Sequence, residues 1–120
     1  MQTQLSTILI IIVLSLISGF GDAFGFTHAA RIWDGNKLIL SEVLKSAAGF
    51  SLGISIYWIV VKFMNQIGIQ TAELQTTIWF ASTIIGVALL SGEFAKWAMP
   101  NKAVAIIILI GIGWLLSQEK

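Results

Sequence analysis

Charged side chains are scarce in this chain. It holds six Asp and Glu, seven Lys and Arg, one His and no Cys in 120 residues. Thiol chemistry, disulfide scaffolds and Cys-based zinc sites are excluded. One His cannot supply a multi-His metal site. Ser, His and acids are scattered, and none stands in a nucleophile motif. Gly19-Phe20-Gly21 follows a long apolar run rather than a strand, so it is no phosphate loop. Enzyme chemistry, a metal and a cofactor are not expected.

The residues that could do chemistry are acids and aromatics in apolar surroundings. Asp22 is the acid of the first apolar stretch. Near mid-membrane a charge costs ~2.5–3.5 kcal/mol on insertion scales, so an acid kept there marks function. Its carboxyl could take and give a proton near neutral pH, with proton and cationic solute competing for one site. The plainer reading ends the helix near Gly19 or Gly21 and leaves Asp22 among headgroups. Glu73 follows Thr71 in the first turn of a later helix, where the helix dipole favours an acid; alternatively it lines a cavity mouth and binds cations. Tyr57, Trp58, Trp79 and Phe80 suit the wall of a site for flat or cationic lipophilic solutes, or ordinary packing and lipid contact. His28 reads as a proton relay or an interfacial residue. Arg31 with Trp33 reads as an interface anchor.

These residues need elements to place them, and composition says which. Hydrophobic residues make up 57% of the chain and charged residues 11%, with mean hydropathy +0.89. Soluble domains carry roughly 25% charged residues. A soluble globular domain is excluded, and the net charge of +1 gives no field for nucleic acid. A bilayer core needs about 20 apolar residues per helix. Four stretches meet or approach this, at about 4–26, 38–64, 71–91 and 101–117. The expectation is one all-α domain, a compact bundle of four transmembrane helices in the cell membrane. The runs 8–14 and 103–112 lack the alternation of a β-barrel.

Punctuation agrees with four spans. Asp34-Gly35-Asn36 is a turn signal, Asn65 to Gly68 breaks the second run, and Pro100 sits where a following helix would start. Residues 37–47 put Lys37, Ser41, Glu42 and Lys45 on one face and apolar residues on the other. That is an amphipathic helix, lying on the interface or extending the second span. No Lys or Arg precedes the first apolar run, so a retained helix is expected rather than a cleaved signal peptide. Lys62 and Lys120 fall on one side, while Arg31, Lys37, Lys45, Lys96 and Lys102 fall on the other. That bias favours the first and third connections inside and both termini outside.

From Ser51 onward the chain resembles the drug/metabolite transporter superfamily. The residues that carry the likeness are Tyr57-Trp58, Ile67-Gly68-Ile69, Ala72 to Trp79, Ile85 to Glu93 with its Leu-x-Gly-Glu-like end, and Ile110-Gly111-Ile112-Gly113-Trp114-Leu115-Leu116. It is similar to EamA-like and small multidrug resistance-like four-helix members, which share an Ile-Trp in the third helix and a Tyr in the second. The likeness implies a small transporter working as a dimer, with Tyr57 and Trp79 at family positions; Asp22, Trp58 and Glu73 join them as solute or proton candidates on the residue readings above. It places Gly111 and Gly113 at the dimer contact of the fourth helix. The chain departs from the small multidrug resistance proteins in offering Asp22 where they carry a membrane Glu. It also keeps only Gly86 of their Gly-rich third-helix face, with Ala81, Ser82 and Thr83 beside it. Three functions remain open: a proton-coupled transporter working as a homodimer on a small molecule, a half-transporter paired with a homologous subunit on a lipid-linked solute, and a structural subunit of a membrane complex.

Overall fold

The computed structural model describes residues 2–118, so Lys120, counted in the charge bias, lies outside the described residues. The order is α1 (Gln2–Ala29), β1 (Trp33–Asp34), β2 (Lys37–Leu38), α2 (Leu40–Gln66), α3 (Ala72–Ser91), α4 (Glu93–Lys96) and α5 (Met99–Gln118). Among the described residues three helices are long and apolar enough to cross a membrane, and a shorter apolar helix follows at Met99–Leu115. The fold is all-α apart from one two-stranded ribbon.

Each connection has a local cause. The ribbon pairs Trp33 with Leu38 and Asp34 with Lys37 around the two-residue turn Gly35-Asn36. Gly35 has φ +64, which the first central position of the turn requires, and among the described residues only glycines have positive φ. Thr71 caps α3 by accepting from the Leu74 amide at 3.4 Å. Gly92 ends α3 in the left-handed region, a glycine C-cap. Pro100 lies in the first turn of α5, where its missing N–H costs no helical bond.

Helix α1 runs through Gly19, Gly21 and Gly25 without ending, which overturns both the early stop and the boundary at 26. The glycines serve close packing instead. A Cβ on Gly49 would stand 2.6 Å from the Gly25 amide nitrogen and 2.8 Å from the Gly21 carbonyl. On the third helix, a Cβ on Gly86 would meet Ala23 at 2.9 Å and the Gly19 carbonyl at 3.0 Å. The backbones of α1, α2 and α3 thus touch, as small-x-x-x-small helix crossings require. Two serines lock the α1–α2 crossing: Ser18 Oγ donates to the Gly53 carbonyl at 2.7 Å and Ser46 Oγ to the Gly25 carbonyl at 2.8 Å.

Three further expectations are corrected. Lys37 and Leu38 belong to the ribbon, so the amphipathic stretch becomes helical only from Leu40, as an extension of α2. Residues 93–96, read as loop, form the short α4. The bundle is not uniformly compact. α1, α2 and α3 pack together, whereas α5 packs on α3 and leaves Ile107, Ile110 and Trp114 more than half exposed.

Candidate functional site

The α1–α2–α3 crossing buries polar atoms where apolar ones would pack more cheaply. Asp22 is 1% exposed. It lies seven residues inside the end of the apolar span Gln4–Ala29, roughly 10 Å along the helix axis. Gly53 makes room for it, since a Cβ there would fall within contact of the Asp22 carboxyl. One carboxyl oxygen, Oδ2, accepts the indole N–H of Trp79 from α3. The other, Oδ1, is buried with no hydrogen-bonding partner among the described residues. A buried charge is stable only when paired or well hydrogen-bonded, so a half-satisfied carboxyl is an unusual thing to keep in a core.

Asp22 stands at the end of a polar stripe on α1. Ser15, Ser18 and Asp22 are buried and lie three and four residues apart, on one helix face. A void of about 10 Å³ lies among Ser15, Ser18, Tyr57, Val60, Met64 and Trp79. Ser15 Oγ, like Asp22 Oδ1, is buried without a partner among the described residues. The Tyr57 ring packs edge-on to Trp79 at 6.4 Å, and the Phe80 ring does so at 4.9 Å.

The Trp79 ring has a second role. It forms part of the wall of a groove of about 660 Å³ between α3 and α5, whose lining includes Phe26, Thr83, Phe94, Trp97 and Ile106. Ligand sites usually enclose about 300–1,000 Å³ and are mostly apolar. One side chain therefore connects the buried acid to an apolar groove of ligand size.

The expected site residues separate into two groups. Asp22, Tyr57 and Trp79 come together. Trp58 is 71% exposed on the outer face of α2 and takes no part; it follows Tyr57 by one residue, about 100° around the helix. Glu73 is exposed in the first turn of α3, the position the helix dipole favours, and is not brought to Asp22. A methyl added at Gly111 or Gly113 would meet nothing within 4 Å, so the α5 face they occupy is open. His28 pairs with Glu42 at 2.5 Å, joining the end of α1 to the start of α2. Its ring also packs against Phe24 at 4.3 Å.

Sequence reasoning missed Ser15, Ser18 and Thr83. The 3-and-4 spacing of Ser15, Ser18 and Asp22 was a usable signal. No group of three or more His, Cys, Asp or Glu gathers to hold a metal among the described residues. No family model, curated protein or solved structure matches the chain. The likeness to the drug/metabolite transporter superfamily rests on its own short motifs.

Proposed function

We propose that this chain is a small solute transporter of the drug/metabolite type, spanning the membrane with four helices and working as a dimer. The observation that carries this reading is Asp22, buried among three helices and joined through Trp79 to the α3–α5 groove. A carboxylate accepts the Trp79 N–H more strongly than a neutral acid does. Protonation of Asp22 weakens that bond and frees the ring that walls the groove. Solute in the groove and proton on the acid are thereby coupled, and each changes the affinity for the other by the same factor. The open α5 faces the second copy, and Gly111 and Gly113 let the two fourth helices approach closely.

The test is uptake of ethidium, a flat lipophilic cation, into proteoliposomes carrying a pH gradient. The parent protein accumulates it with the gradient, and Asp22→Asn inserts normally yet loses gradient-driven uptake. Undiminished gradient-driven uptake by Asp22→Asn would refute the assignment.

A second reading has one observation in its favour, the nearly all-apolar lining of the groove, which suits a hydrocarbon chain. On that reading the chain is a half-transporter for a lipid-linked solute. A non-identical four-helix partner then co-purifies with it, and Asp22→Asn retains activity.

A further inference from the structure

The groove wall contains one hydroxyl that its own helix does not use. Hydroxyls on buried or lipid-facing helices usually bond back to the carbonyl four residues earlier. Thr27, Ser55, Thr77 and Ser82 all do so here, at 2.7–3.1 Å. Thr83 does not. It is 4% exposed, its Oγ1 is buried with no partner among the described residues, and it lines the groove one turn beyond Trp79. Of the other polar side chains of that lining, the Trp79 N–H meets Asp22, Ser91 Oγ the Glu93 amide and the Glu93 carboxylate Lys96, while Trp97 is half exposed rather than buried. A lone buried hydroxyl without a partner is unfavourable, and a ligand group that bonds to it recovers that cost.

We propose that the groove binds a small, flat, largely apolar molecule, and that Thr83 is the residue that selects for a hydrogen-bonding group on it. The inference deepens the transporter reading by naming the class of molecule the groove accepts. The apolar body lies along Phe94, Trp97 and Ile106, and its single hydroxyl, amine or carbonyl meets Thr83 Oγ1 beside Trp79 once the Thr83 side chain turns its buried hydroxyl toward the groove. A bilayer acyl chain fills an apolar groove but offers nothing to Thr83. A helix of a second copy also leaves the hydroxyl unmet, because its backbone groups are bonded internally.

The experiment compares two probes of nearly one shape, 9-anthracenemethanol and 9-methylanthracene, on protein in lipid nanodiscs. Trp33, Trp58 and Trp114 are replaced by Phe so that energy transfer to the probe comes from Trp79 and Trp97 at the groove. The parent binds the hydroxyl probe about fivefold more tightly than the methyl probe, the ratio for one net hydrogen bond. Thr83→Val abolishes that preference while leaving the methyl probe's affinity unchanged, which also reports an intact groove. Thr83→Ser restores it. An unchanged preference in Thr83→Val overturns the proposal. So does transfer no greater than lipid partition accounts for, which would mean that an acyl chain or a second copy fills the groove. The assay needs no gradient and no Asp22, so either failure leaves the ethidium test of coupling to stand or fall separately.

Discussion

Gly49→Ala is the sharpest probe of the α1–α2 crossing. Its new methyl would stand 2.6 Å from the Gly25 amide nitrogen, about 0.8 Å inside the 3.4 Å of ordinary contact, with the Gly21 carbonyl at 2.8 Å. Both neighbours are backbone and cannot rotate aside, so the helices must separate. Overpacking of this kind costs about 1–3 kcal/mol. Separation also stretches the Ser46–Gly25 and Ser18–Gly53 hydrogen bonds, now 2.8 and 2.7 Å, each worth about 0.5–1.5 kcal/mol net. Against this, Ala gains about 1 kcal/mol over Gly in helix propensity. The net expectation is a loss of about 1–5 kcal/mol, measured by steric-trap unfolding in bicelles. Gly111→Ala is the matched control, since nothing stands within 4 Å of its added methyl. The control stays within about 0.5 kcal/mol of the parent or gains by propensity. A Gly49→Ala protein as stable as the parent, or a Gly111→Ala protein destabilised equally in monomeric form, would refute the crossing described above.

Other expectations follow from single contacts. Trp79→Phe keeps an aromatic wall but removes the donor to Asp22; it should cost about 1–3 kcal/mol in unfolding and uncouple ethidium uptake from the gradient. Ser15→Ala should be neutral or stabilising, because Ser15 Oγ has no partner to lose among the described residues, whereas Ser18→Ala should cost about 0.5–1.5 kcal/mol through its bond to Gly53. His28→Ala should speed hydrogen exchange at residues 39–43, since it removes the ion pair with Glu42, one of the contacts between the start of α2 and the end of α1. Trp58→Ala should leave ethidium uptake unchanged, as its ring points away from Asp22 and the groove.

How far these features were legible in the sequence depended on their range. The four apolar stretches, the turn at Gly35-Asn36, the Thr71 cap and the helix start at Pro100 are local, and their residue types settle them. Gly49 and Gly53 stand four apart, the spacing of a close helix crossing. Gly19, Gly21 and Gly25 were ambiguous, because glycine marks a helix end and a close approach alike. What decides between the two is the presence of Gly49, Gly53, Ser82 and Gly86 on helices far along the chain. The Asp22–Trp79 contact spans 57 residues and had no local signature. Trp58 and Trp79 looked equivalent as aromatics, and only the rotational setting of α2 and α3 separates the exposed ring from the half-buried one. Thr83 was visible only as a small residue; its unused hydroxyl emerges once the back-bonding of its neighbours is known.

The central claim is that Asp22 lies inside the membrane, shielded at the crossing of three helices. The chain has no cysteine, so single cysteines at positions 22, 26, 30 and 34 can be tested in intact membranes with a membrane-impermeant maleimide added to both faces. The account predicts no labelling at 22, free labelling at 34, and labelling at 22 only after the protein is unfolded in detergent. Labelling at 22 as fast as at 34 in intact membranes would place Asp22 in water and contradict the account.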